Sequence, residues 1–286
     1  MSDSPLPEGI AMPRRSGNPR PCWPEPHECG KNALYTHTLG SGPDVVLIHG
    51  WGMHSGVWED VAEALFDRYR VTVVDLPGHG YSRLPAAGHS LADLGAAAAA
   101  VTAPAAAWVG WSLGGLVAQQ VAITAPEQVS RLVLVNSTPC FAQRPDWPHG
   151  IALPVLRRFA EELRQDYRAV LKRFIALEVH GSRHAASQLR TLKAMLFQHG
   201  EPDVSALEDG LAVLENTDLR AELSRIACPT LLLMGQRDQL VPTAAGAAMR
   251  ELLPNARLRV FPGAGHAPFF SHLPDFVAEL REFLDA

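Results

Sequence analysis

Short apolar runs that alternate with helical stretches constrain this chain more than any other feature of its sequence. Val45-Val46-Leu47-Ile48 ends in His49-Gly50-Trp51-Gly52, and Val71-Thr72-Val73-Val74 ends in Asp75-Leu76-Pro77-Gly78-His79-Gly80. Residues 106–110, 132–135, 230–234 and 257–261 repeat the pattern, with helical stretches near 57–66 and at 113–125, 244–253 and 275–284. A strand that is apolar on both faces is covered on both sides, and strands separated by helices need crossover connections. The expected fold class is therefore α/β: a mostly parallel central sheet with helices on both faces.

Between residues 139 and 222 the strand signal vanishes. Leu156, Phe159, Leu163, Tyr167, Val170, Phe174 and Leu177 recur every three or four residues, the spacing of one helix face. A helical insertion into such a core is expected as a cap (lid) over the sheet's carboxyl edge, where ligands bind in this architecture. The domain reading is a core of residues 31–138 and 223–286, a cap of residues 139–222, and a flexible leader of residues 1–30.

With 47% hydrophobic and 19% charged residues among 286, the chain can fill a large core and is not a disordered one. A net charge of −5 argues against a general nucleic-acid binder. The uncharged stretch over 94–126 is broken by Pro104 and Gly114-Gly115, so it reads as helix, strand and helix rather than a membrane span. Cys22, Cys29, Cys140 and Cys228 match neither a disulfide framework nor a zinc-site spacing, and His27 beside Cys29 has no second ligand pair. A soluble, cytoplasmic protein, monomeric and without metal or cofactor, is expected.

Gly110-Trp111-Ser112-Leu113-Gly114 has the G-x-S-x-G form and stands between an expected strand and an expected helix. A sharp turn there exposes the serine hydroxyl at the sheet edge, and flanking glycines remove the Cβ atoms that would obstruct it. A serine hydroxyl needs a base, and the base needs an orienting acid. His266, in Gly263-Ala264-Gly265-His266-Ala267-Pro268, follows the last strand, and Asp238 follows the strand at 230–234. The order Ser112, Asp238, His266 suits nucleophile, acid and base on such a sheet. An oxyanion would find donors in the backbone N–H groups of Leu113 and Trp51. Phe141, Phe159 and Phe174 are candidates to line an apolar acyl channel, with a plain core role as the alternative for each.

On these residues the chain resembles the α/β-hydrolase superfamily over about residues 44–284. Within it, the chain is most similar to the family of pimeloyl-[acyl-carrier-protein] methyl ester esterases of biotin synthesis. The telling segments are the Ser112 elbow through Ala118, Ser137-Thr138-Pro139-Cys140-Phe141, Trp147-Pro148, Arg173-Phe174-Ile175-Ala176-Leu177 and Gly265-His266-Ala267-Pro268-Phe269. The resemblance implies that Trp51, Leu113 and the segment from Phe174 to Glu178 contact substrate. It also implies a carboxylesterase that releases methanol from a pimeloyl chain carried on acyl-carrier protein.

The cap's charges bear on that partner. Residues 157–193 hold nine Lys or Arg against four acids, and residues 201–222 hold seven acids against Arg220 alone. A cationic segment suits an acidic carrier, with Arg168, Lys172, Arg173 and Arg190 as candidate contacts. The alternative is solvated helix faces with local pairs. A general short-chain carboxylesterase, a lactonase, a carbon–carbon bond hydrolase of the same fold, and a non-catalytic small-ligand receptor remain as other readings of the chain.

Overall fold

The structure is a computed structural model that describes residues 34–85, 89–180, 182 and 185–286. The leader at 1–30, with Cys22, His27 and Cys29, lies outside the described residues. Seven strands form one sheet: β1 (Thr36–Leu39), β2 (Asp44–Ile48), β3 (Arg70–Val74), β4 (Ala106–Trp111), β5 (Val129–Val135), β6 (Thr230–Gly235) and β7 (Ala256–Phe261). Their spatial order is β1-β3-β2-β4-β5-β6-β7. Every neighbouring pair is parallel except β1 with β3.

Burial explains which strands were legible. All six residues of β4 and β6 are buried, as a strand covered on both faces requires. The sequence reading missed β1. Its Thr-His-Thr-Leu is only partly buried at the sheet edge, so it carries no continuous apolar run. The Thr38 and Thr72 hydroxyls, 2.9 Å apart, help to tie it to β3.

Helices α1 (Glu59–Leu65), α2 (Leu91–Ala100), α3 (Leu113–Thr124), α7 (Thr243–Leu252), α8 (Pro268–Ser271) and α9 (Leu273–Asp285) belong to the core. Ser90 and Asp93 form a reciprocal capping box at the start of α2. Helix α3 follows β4 after one residue and is buried along almost its whole length.

Between β5 and β6 stand α4 (Leu153–Val179), α5 (Ala185–Met195) and α6 (Val204–Asn216), the expected helical insertion. Helix α4 breaks at Asp166, whose backbone leaves helical geometry (φ −153°, ψ 82°). The Asp166 carboxylate accepts the Ala169 N–H at 3.0 Å, and so caps the second half. Leu156, Leu163, Val170, Leu171, Phe174 and Ile175 form the buried face.

The two oppositely charged blocks meet each other rather than solvent alone. Arg157 pairs with Glu215 at 2.9 Å, Arg164 with Glu208 at 2.7 Å, and Arg168 with Glu201. Arg173 pairs with Glu162 on α4 itself. Among the described residues, no helix is long and apolar enough to cross a membrane.

Candidate active site

Ser112 sits between the last residue of β4 and the first of α3, in the middle of the sheet's carboxyl edge. Its backbone is forced to φ 54°, ψ −117°. Such a conformation costs a non-glycine residue about 1–3 kcal/mol and persists only where its surroundings impose it. Here they do. The Ser112 N–H donates to the Val135 carbonyl at 3.0 Å, and the Ser112 carbonyl accepts from the Ser137 hydroxyl at 2.8 Å. A Cβ on Gly110 would lie 2.3 Å from the Gly114 carbonyl oxygen, and one on Gly114 would lie 2.5 Å from those of Ile48 and His49. Only glycines let the turn close so tightly.

Asp238 and His266, expected from sequence as acid and base, are in contact. His266 Nδ1 lies 2.7 Å from Asp238 Oδ2. The other carboxylate oxygen accepts the N–H groups of Leu240 (2.8 Å) and Val241 (3.1 Å). With Asp238 thus held as an acceptor, the Nδ1 nitrogen is the donor of this bond. His266 Nε2 is buried and has no hydrogen-bond partner among the described residues.

Sequence reading missed the side chains that hold this pair. The Trp111 indole, one residue before Ser112, donates to the His266 carbonyl at 2.9 Å. Asn136, at the end of β5, donates to the carbonyls of His266 (2.7 Å) and Gly265 (3.0 Å) and accepts the Gly235 N–H at 2.7 Å. One amide thus clasps the histidine loop to the strand that carries the acid. Asn136 has φ 42°, a conformation asparagine tolerates better than most residues. A single asparagine outside any motif gave no sequence signal of this role.

The oxyanion candidates lie beside the elbow. Leu113 is the first residue of α3, so its N–H has no acceptor within the helix. Trp51 is buried after β2, and its indole donates to the Leu207 carbonyl of α6 at 2.9 Å. Its ring meets Phe174 of α4 edge-on at 4.8 Å, and Phe174 meets Phe159 at 6.0 Å. A Cβ on Gly210 would reach 2.6 Å from the indole, so glycine lets α6 approach. The cap is thereby packed directly on the loop that carries Trp51, and Ser112 beneath it is only 2% exposed. Phe141 is also buried but lies in the link between β5 and α4, with no ring contact to Phe159 or Phe174 among the described residues.

Glu178 is fully buried near the end of α4, and burial, reinforced by Asp238, pushes its carboxyl well above the usual range. Of the four cap cations, Arg168 and Arg173 are engaged with Glu201 and Glu162. Lys172 and Arg190 are exposed and form no ion pair among the described residues.

His54, Asp75 and His199 place one ligand atom each within 4.8 Å of the others. The ligand atoms of Asp75 and His54 are already in use. Asp75 accepts the N–H groups of Ser55 (2.6 Å) and Tyr81 (2.8 Å). His54 accepts the Gly56 N–H at 3.2 Å and donates to the Met195 carbonyl at 2.7 Å. Burial, then the neighbouring His199, lowers His54 to about 4, so it stays neutral. The cluster acts as a hydrogen-bonded post between core and cap.

Comparison with known proteins agrees with this geometry. The family described as alpha/beta hydrolase fold matches residues 43–273. A pimeloyl-[acyl-carrier protein] methyl ester esterase of Xanthomonas campestris pv. campestris (strain B100) is 45% identical over 253 residues, covering 88% of this chain and 99% of its own. The protein of that name from Nitrosomonas europaea is 45% identical over 246 residues, covering 86% and 97%. Among solved structures, an esterase from Exiguobacterium antarcticum superposes with a TM-score of 0.79 at 25% identity, over 88% of this chain and 96% of that one. On its strand order, its serine elbow and this level of identity, the chain belongs to the α/β-hydrolase fold family and, within it, to the pimeloyl-[acyl-carrier protein] methyl ester esterases.

Proposed function

We propose that this protein hydrolyses the methyl ester of a pimeloyl chain carried on acyl-carrier protein, acting in the cytoplasm in biotin synthesis. Ser112, His266 and Asp238 are its nucleophile, base and orienting acid. The observation that carries the reading is the buried Asp238–His266 hydrogen bond of 2.7 Å, at the sheet edge that also holds the strained Ser112 elbow.

In the first half-reaction Ser112 Oγ attacks the ester carbonyl carbon while His266 Nε2 takes its proton. The N–H groups of Trp51 and Leu113 receive the oxyanion, which preorganised donors stabilise without rearrangement. Collapse expels the methoxy group, which takes the proton from His266 and leaves as methanol, with the acyl chain on Ser112. Water then attacks this acyl-serine, giving a proton to His266. Collapse returns that proton to Ser112 Oγ and frees the pimeloyl carboxyl group. Asp238 keeps the imidazole in one tautomer throughout and stabilises its positive charge.

The aromatic row of Trp51, Phe174 and Phe159 supports an apolar path for the methylene chain, and the ionic cap face supports the carrier. Lys172 and Arg190 are the stronger contacts of the four, because Arg168 and Arg173 must first give up or share their acidic partners. The deciding experiment offers purified enzyme the carrier-bound methyl ester and a p-nitrophenyl ester in parallel. Methanol release from the first, lost in Ser112→Ala, supports the reading. Turnover of only the second makes it a general short-chain esterase.

A further inference from the structure

The mechanism above gives the Glu178 side chain no task, yet its setting is unusual. It stands one residue before the end of α4 and is 1% exposed. Neither carboxyl oxygen has a hydrogen-bond partner among the described residues. The charge that acts on it is Asp238, of its own sign. The main chain of the same residue does the opposite of repelling. The Glu178 carbonyl accepts the His266 N–H at 2.9 Å, and a Cβ on Gly265 would come within 2.9 Å of that oxygen. One cap residue therefore supports the base's backbone while its side chain lies in the field of the acid.

A carboxylate buried without a cation or donors is costly, and such a group takes up a proton instead. From the loop after β6 the facing titratable group is Asp238; from the loop after β7 it is His266, through its N–H. On its own turn the next titratable residue is His180, which is exposed. Among the described residues no lysine or arginine acts on the Glu178 carboxyl.

We propose that Glu178 is a positioning residue that couples closure of the cap to the acid–base pair. As a neutral acid it stays under the cap, and its helix end supports the His266 backbone. As a carboxylate it is driven toward water and draws that support away. The inference rests on the esterase reading and adds to it a control by proton uptake at the cap.

The test compares the pH profile of kcat/KM for wild type and Glu178→Gln, whose amide keeps the shape and cannot ionise. Wild type is expected to lose about tenfold per pH unit on its alkaline side, as a single ionisation requires. Glu178→Gln is expected to stay flat there, each profile being scaled to its own value at neutral pH. Parallel alkaline loss in both proteins overturns the proposal, as does a folded Glu178→Gln that is inactive at neutral pH. A second measurement needs no variant: infrared spectra of wild type carrying isotope-labelled glutamate are expected to show a protonated carboxyl band at neutral pH. The band should vanish over the pH range in which activity falls. Its absence overturns the proposal even if no ester is turned over, a result that would separately remove the esterase reading.

Discussion

At the sheet edge Asp238 and Asn136 are buried and held by several partners each; in the cap Arg157 and Arg164 are exposed and held by one acid each. Asp238 is gripped by two backbone N–H groups and an imidazole, and Asn136 makes three buried hydrogen bonds. By contrast, Arg157 and Arg164 reach across to α6 with side chains 64% and 76% exposed. Buried polar groups that are fully satisfied specify one geometry, whereas exposed pairs are screened and contribute little. The core edge is therefore built for positioning. The exposed pairs of the cap hold its charges far less tightly.

The sharpest way to break this contrast is at the nucleophile. Ser112→Ala should lower kcat on a p-nitrophenyl ester by about 10⁴-fold or more while leaving the melting temperature near that of wild type. Asp238→Asn should cost about 10⁴-fold, because an amide can select the wrong imidazole tautomer without disturbing the packing. Equal kcat in either variant would remove that residue from the chemistry.

Asn136→Ala strips partners from two buried carbonyls and one buried N–H. A loss of about 1–3 kcal/mol is expected by denaturant titration, together with a fall in kcat from a looser His266. A stable variant with reduced kcat would show that the clasp serves position more than stability.

Glu178 lets the contrast be tested by pH. Burial, then Asp238, raises its folded carboxyl well above the ordinary glutamate range in which the unfolded chain releases its proton. Stability is therefore lost as pH rises from that range up to the raised folded value. Glu178→Gln should melt higher than wild type at neutral pH, and the gap should close in acid. No gap at neutral pH would mean the side chain is not buried as a neutral acid.

The smallest effects belong to the cap surface. Arg190→Glu and Lys172→Glu should raise KM for the carrier-borne ester several-fold, more at low salt than at high, and leave the p-nitrophenyl ester unaffected. Arg164→Ala should change neither melting temperature nor turnover measurably, since its partner lies on an exposed face.

Much of this arrangement was legible before any coordinates. The strands from β2 to β6 announced themselves because a buried parallel strand is apolar on both faces, whereas β7 alternates arginine with apolar residues at the sheet edge. The elbow, Asp238 and His266 announced themselves because each follows a strand at the same edge. What escaped had no period and no motif. Strand β1 is a half-buried edge, Asn136 acts through carbonyls brought from 129 and 130 residues away, and Trp111 reaches a carbonyl 155 residues away. Arg157, Arg164 and Arg168 looked free because their acidic partners lie 58, 44 and 33 residues further along.

By itself the sequence determined the class of fold and offered the three side chains proposed to carry the reaction, since both depend on local pattern and chain order. Only the tertiary structure decided what holds His266, which cations are already paired, and that the Glu178 carboxyl is sealed beside Asp238. Those facts depend on the distance between groups far apart in the chain, and distance is created only when the sheet is assembled and the cap is packed upon it.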